Sequence, residues 1–279
     1  MPAILKLLSN LKAVATVSGA HTALAFVRAI LANLPTIVRT RNLVAADLAM
    51  RGRAWPYSLQ GVRLSLDGKH FGGAREMYCR QVYFPSPQFS LHPGKWVVDL
   101  GANAGLFSLL AALAGCKVLA VEAQAGFVRE IEALASARGV SDRVTVENVL
   151  VGGGSGVLSD SRKLETASHF GGVVPRKSSM DALLAKHGID EVDLMKVDIE
   201  GSEFDLFRSS APWLARVSRL AMEVHPGHGD VEDLVATIAS QGFRIELRDN
   251  DSMLVDEISL AGGYVFATRT GNKQNSRGR

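Results

Sequence analysis

Three charged residues, Lys196, Asp198 and Glu200, fall at alternate positions where the apolar run Val192–Val197 gives way to Gly201. Alternate residues of an extended chain share one face. Charges at the exit of a buried strand are costly unless they are paired or put to use. The run Leu220–Val224 ends in the same manner, as Met222-Glu223-Val224-His225-Pro226, with an acid and a base two residues apart. If the two runs are neighbouring strands, Asp198, Glu223 and His225 converge above the sheet as a group able to hold and move a proton. A structural salt-bridge network would show the same residues, and the sequence leaves both readings open. His169, in Ser168-His169-Phe170-Gly171-Gly172, is a second candidate base on a glycine-rich loop able to cover a site. The ligand types would suit a divalent metal, but their spacing is not diagnostic and no metal site is assigned.

Two further stretches speak to a ligand. Asp99-Leu100-Gly101-Ala102-Asn103-Ala104-Gly105 closes the run Trp96–Leu100. Gly101 allows a tight turn and a close approach to the backbone, and Gly105 opens a helix whose N–H groups suit an anion, here a carboxylate. The spacing is not the Gly-x-Gly-x-x-Gly of dinucleotide sites, nor does a Lys-Ser/Thr pair come after it as in a P-loop. Glu122 ends the run Lys117–Val121, 23 residues after Asp99, where an acid can accept hydrogen bonds from both hydroxyls of a ribose. Loop and acid together point to a nucleoside-bearing ligand, without separating NAD from S-adenosylmethionine.

Periodicity supplies the elements on which these residues sit. From Trp96 onward, short apolar runs alternate with helical patterns such as Leu106–Leu113, Phe127–Arg138, Met180–His187 and Val231–Ser240. Strands are expected at Lys117–Val121, Arg143–Val149, Phe243–Leu247 and Tyr264–Thr268 as well. Largely apolar strands buried by helices on both faces give an α/β fold with a mostly parallel sheet. In such sheets ligands bind beyond the carboxyl ends of the strands, which is where the residues above lie. Upstream, residues 1–73 read as a helical extension with a small β element. Gly61 to Leu66 alternates, and Asp67-Gly68 offers a hairpin turn. The main domain is expected over 74–268, with a basic tail, 269–279, after it.

Composition excludes several classes. At 279 residues, 47% hydrophobic and 21% charged, the chain can bury a full core and is neither disordered nor disulfide-stapled. Two cysteines, Cys79 and Cys116, imply a reducing compartment and a cytoplasmic location. The net charge of +3 divides into +6 over residues 1–53, +4 from Arg269 onward and −7 between them. An acidic body argues against a nucleic-acid partner. No run reaches the roughly 18–20 apolar residues of a membrane span. Ile4, Leu7, Leu8 and Leu11 beside Lys6 and Lys12, and then Leu24, Val27, Leu31 and Leu34, form helical stripes. These would pack on their own domain or a second copy, or lie on a membrane surface.

The motifs resemble the FkbM family of S-adenosylmethionine-dependent methyltransferases over about residues 74–268. Val97-Val98-Asp99-Leu100-Gly101-Ala102-Asn103-Ala104-Gly105, Val121-Glu122 and Ser179-Met180-Asp181 match in order. The most specific pieces are Leu194-Met195-Lys196-Val197-Asp198-Ile199-Glu200-Gly201-Ser202-Glu203 and Met222-Glu223-Val224-His225. The resemblance implies a Rossmann-like class I methyltransferase, with a seven-stranded, mostly parallel sheet whose last strand is antiparallel. It implies that Asp99, Gly101, Ala102, Asn103 and Gly105 hold the methionine end of S-adenosylmethionine and that Glu122, with Ala123 after it, holds the ribose. Asn148 and the backbone at Val149 would flank the adenine, and Asp198 would face the methyl-transfer site. The activity implied is O-methylation of a hydroxyl on a sugar, glycan, glycolipid or secondary metabolite. For a hydroxyl acceptor a base is useful, and His225 is the first choice, with Asp198 and Glu223 to orient it or to bind a metal. Two positions depart from the family pattern: Ala123-Gln124-Ala125, where a proline is common, and Ser179-Met180-Asp181 in place of Thr-Leu-Asp. An NAD(P)-dependent oxidoreductase is disfavoured by the glycine spacing. A non-catalytic docking module would have lost the cofactor loop, which is intact.

Overall fold

The computed structural model describes residues 3–152, 175–208 and 211–271. The chain forms two compact units, Met1–Ser90 and Leu91–Arg279, dividing later than the boundary expected after residue 73. The cause lies in the segment just after the small β element. A turn over Gly68–His70, a short helix Phe71–Ala74 and a π-turn Arg75–Cys79 all pack into the first unit. Phe71 meets Phe26 with ring centroids 5.2 Å apart, and Tyr78 meets Tyr57 at 5.5 Å. Arg75 donates to both carboxylate oxygens of Asp47 at 2.8 Å and to Asn10.

The first unit begins with helices α1 (Ala3–Ser18), α2 (Ala20–Ala32), α3 (Leu34–Thr40) and α4 (Val44–Ala49). Most of the α2 stripe faces outward. Phe26, Ala29 and Ile30 are buried, whereas Leu24, Leu31 and Leu34 are exposed, Leu31 at 64%. Phe26 takes the interior because its ring packs at a tilt against Phe71 under the Arg75 guanidinium. Among the described residues no single helix is long and apolar enough to cross a membrane, although α2 and α3 together pass on length and composition across a 76° bend. Strands β1 (Ala54–Leu59) and β2 (Val62–Asp67) pair antiparallel. Their turn is Gln60-Gly61, with φ of 52° and 73°, the left-handed pair that a two-residue hairpin demands. Asp67-Gly68, expected to make that turn, instead opens the next one. The Asp67 side chain accepts from Lys69 N, and a Cβ on Gly68 would stand 2.3 Å from Met50 O.

The second unit carries β3 (Trp96–Leu100), α6 (Leu106–Leu113; Phe71–Ala74 being α5), β4 (Lys117–Val121), α7 (Ala125–Ala137) and β5 (Val144–Glu147). It continues with β6 (Val149–Leu150), β7 (Arg176–Lys177), α8 (Met180–Lys186), β8 (Leu194–Val197), α9 (Glu203–Arg208) and β9 (Arg219–Val224). It closes with α10 (Val231–Ser240), β10 (Phe243–Asp249), β11 (Leu254–Val255) and β12 (Gly263–Arg269). The sheet order is β11-β10-β12-β9-β8-β3-β4-β5. Strands β5, β4, β3, β8 and β9 run parallel, and β12 lies antiparallel between β9 and β10. These are the seven strands and the antiparallel last strand expected, with the two-residue β11 added at one edge. Every side chain of β8 is buried, as are four of the five in β3, consistent with strands covered on both faces.

The run Arg143–Val149 does not form one strand. It breaks at Asn148, whose side-chain amide donates to Glu122 O and Ala123 O. Val149–Leu150 then pairs with Arg176–Lys177 instead of continuing the main sheet. The chain builds outward from β3 to β4 and β5 on one side and to β8 and β9 on the other, so a crevice opens beyond the carboxyl ends of β3 and β8.

Candidate active site

That crevice is a cavity of ≈ 460 Å³, within the range of small-molecule sites. Its floor is the loop after β3. Gly101 has φ 72°, and a Cβ there would stand 1.7 Å from Asp198 O; only glycine lets the two strand exits approach so closely. Gly101 N and Ala102 N both donate to Val121 O, tying the loop to β4. Asn103 takes a left-handed φ of 50°, and its side chain accepts from Ala104 N.

Glu122, at the end of β4, is buried and accepts from Asn103 N and Gln124 N, both at 2.7 Å. Burial pushes its carboxyl above its ordinary value, against the pull of those two hydrogen bonds and of the Lys196 charge. The apolar wall comes from Val121, Phe127, Val149, Leu150 and Val151.

Beneath the loop lies a buried charge network. Lys196 is 1% exposed. Its ammonium donates to Gly101 O at 2.7 Å and lies 3.2 Å from Asp99 Oδ1 and 3.6 Å from Asp198 Oδ2. Asp99 Oδ2 accepts from Ser108 Oγ. Burial alone would lower the lysine pKa, but the Asp99 and Asp198 carboxylates raise it, so the charge stays. The β3–β8 register sets Asp99 directly beside Lys196.

The other rim is built by the chain leaving β8. Glu200 adopts a left-handed φ of 52° and Gly201 one of 93°, where a Cβ would meet the His228 ring at 2.4 Å. Glu203, 0% exposed, receives Gly201 N on Oε2, and both His225 N and His225 Nδ1 on Oε1 at 2.8 and 2.9 Å. One buried carboxylate thus fastens the exit of β8 to that of β9. His225 Nε2 then lies 3.5 Å from Glu200 Oε2. Burial would lower the His225 pKa, but the Glu203 hydrogen bond and charge, with Glu200 and Asp198, push it up to about 9.

The sequence residues therefore divide. Gly101, Asn103, Glu122, Ala123, Val149 and Asp198 line the cavity. Asp99, Ala102, Gly105 and Asn148 stand behind the lining. Asp99 serves Ser108 and Lys196, Gly105 packs on Ile131, and Asn148 clamps the backbone after β4. The group that converges is Asp198, Glu200 and His225, with ligand atoms all within 4.8 Å of one another. Glu223, expected in that group, is outside it; half-buried on β9, it acts on Lys196 through its charge. His225 meets Glu203 instead. His169 lies outside the described residues. The role of Glu203 was not foreseen; its one sequence signal is the spacing Glu-Gly-x-Glu.

Comparison with known proteins places these features in a family. No curated protein matches the chain significantly. Solved structures with likeness include the METTL16 methyltransferase domain, at 14% identity, covering 63% of this chain and 59% of that one, with TM-score 0.42. The precorrin-6y C5,15-methyltransferase of Geobacter metallireducens is 11% identical over 69% of this chain and 88% of that one, with TM-score 0.41. M. capricolum TrmK, solved with S-adenosylhomocysteine, is 8% identical over 68% and 66%, with TM-score 0.41. Such scores are too low to bear on the chemistry. The family match is of another kind. The methyltransferase FkbM domain covers residues 99–245, from Asp99 through the loop, Glu122, the β8 exit and His225. With that match spanning more than half of its length, the chain belongs to the FkbM methyltransferase family.

Proposed function

We propose that the protein is an S-adenosylmethionine-dependent O-methyltransferase acting on a hydroxyl of a sugar, glycan, glycolipid or secondary metabolite. The observation that carries the reading is a cavity with a buried acid, Glu122, on one side and two carboxylates, Asp198 and Glu200, on the other. The residues fit the cofactor. Glu122 suits ribose hydroxyls, the apolar wall from Val149 to Val151 suits an adenine, and Asp198 beside the Gly101 loop suits an amino-acid end. When bound, S-adenosylmethionine supplies a methyl group already activated on a sulfonium.

What remains for the chain is positioning and proton removal. The rim carboxylates favour positive charge and can accept the proton of an acceptor hydroxyl. Glu203 and His225 hold Glu200 and its loop in place. Melting-temperature shifts with S-adenosylhomocysteine and with NAD test the cofactor. A ligand at one hundred times its Kd stabilises by about 2.7 kcal/mol, and stabilisation by NAD alone would overturn the reading. Transfer of a labelled methyl group into sugar and lipid-extract fractions identifies the acceptor.

The proposal extends to location. The free, buried thiols Cys79 and Cys116 suit the cytoplasm. The exposed Leu24, Leu31, Leu34 and Val38, with Arg28, Arg39 and Arg41 in the same segment, suit an anionic membrane surface. Co-sedimentation with phosphatidylserine vesicles is expected. Concentration-dependent dimerisation without vesicle binding would assign these residues to self-association.

A further inference from the structure

We propose that Asp198, Glu200 and His225 form a binding site for a divalent cation of the manganese type at the rim of the cavity. Their donor atoms lie within 4.8 Å of one another, with His225 Nε2 and Glu200 Oε2 3.5 Å apart. Ligands of one small cation, each about 2.0–2.2 Å from it, stand about 3 Å from one another. The Glu200 side chain, 70% exposed, can close that difference by rotation.

The second observation is the far side of the imidazole. Nδ1 is engaged by Glu203 Oε1 at 2.9 Å, and that carboxylate is fully buried and anchored again by Gly201 N and His225 N. A carboxylate on one ring nitrogen, fixing the other toward a cluster of oxygens, is the outer arrangement that ligating histidines use. Asp198, Glu200 and Glu203 also surround the ring with negative charge, a field that draws a cation in exchange for the imidazole proton, which is released to solvent. Two carboxylates and one imidazole, with no thiolate, suit Mn²⁺ or Mg²⁺ in preference to a soft metal. Asp198 shares one oxygen with Lys196 at 3.6 Å, which ties the cation site to the floor of the cavity. Asp198 and Glu200 both line that cavity, so a cation held there meets an acceptor oxygen and lowers the pKa of its hydroxyl. That effect on the acceptor rests on the methyl-transfer reading; the binding itself does not.

The test uses the full chain, stripped with chelator and dialysed, with Mn²⁺ alone as the probe. Free Mn²⁺ is followed by its electron paramagnetic resonance signal, and S-adenosylhomocysteine binding is measured by calorimetry on the same samples. One saturable Mn²⁺ per chain is expected, with affinity lowered tenfold or more in Glu200→Gln and in His225→Asn. Glu203→Gln should weaken it by about 10–100-fold, as loss of an outer partner does. Glu200 is exposed, so Glu200→Gln folds even if the buried Glu203 variant does not. Absence of saturable Mn²⁺ binding, or affinity unchanged in Glu200→Gln and His225→Asn, overturns the proposal. Manganese without S-adenosylhomocysteine would leave the cation site standing and sink the methyl-transfer reading; the reverse would sink only the cation site.

Discussion

Lys196 and Glu200 leave the same strand four residues apart, yet one is 1% exposed and the other 70%. Around Lys196 every charge is answered: Asp99 and Asp198 flank the ammonium, Ser108 holds Asp99, and Gly101 O accepts a hydrogen bond. Around Glu200, two carboxylates and an imidazole gather at the edge of a cavity, anchored from behind by the buried Glu203. Depth separates the two roles. A charge taken fully out of water must be neutralised by the scaffold, whereas one at a rim can be spent on a ligand.

The contrast is most exposed to test at Lys196. Lys196→Met leaves Asp99 buried without its partner, and urea unfolding should show a loss of about 3–5 kcal/mol. A loss below about 1 kcal/mol, the scale of a surface ion pair, would mean the network is not structural. Asp198→Asn, on the boundary between the regions, should lower turnover roughly a hundredfold or more, as when a positioned acid–base or electrostatic group is removed. Its melting temperature should change little, since Lys196 keeps Asp99. Normal turnover with a large drop in melting temperature would move Asp198 into the scaffold.

Glu122→Ala should weaken S-adenosylhomocysteine by a few kcal/mol at most, two charge-assisted hydrogen bonds being worth about 1.5–3 kcal/mol each. Unchanged affinity by calorimetry would remove Glu122 from the ribose. Smallest is the effect of Glu200→Gln on stability. At an exposed position unfolding free energy should stay within about 0.5 kcal/mol while turnover falls. Loss of stability without loss of turnover would reverse the assignment of the rim.

Much of the fold was legible from residue pattern. Short apolar runs alternating with 3.6-periodic segments indicated the parallel sheet, and the loop from Asp99 to Gly105 with Glu122 marked the cavity. The adjacency of β8 and β9 brought the two charged exits together as expected. The misreadings share a cause. Glu223 was grouped with Asp198 and His225 because alternate residues share a face, but β9 ends at Val224, before His225, and β8 ends at Val197, with the chain turning left-handed at Glu200. Beyond a strand end period two no longer applies, and Glu200 swung into the place given to Glu223.

The α2 stripe was legible as a stripe, but which face turns inward was not. Its leucines are periodic, yet Phe26 and Ile30 on another face had Phe71 and its neighbours to pack against. The order of elements, the face of each residue within a straight element and the loop that needs glycine are written in the chain locally, because they depend on backbone geometry over a few residues. It took the folded molecule to decide that Lys196 is sealed under Gly101, that Glu203 returns beneath His225, and that Asp198, Glu200 and His225 are the three that meet. Burial and partnership of a charge depend on neighbours distant in the chain, and no local period encodes them.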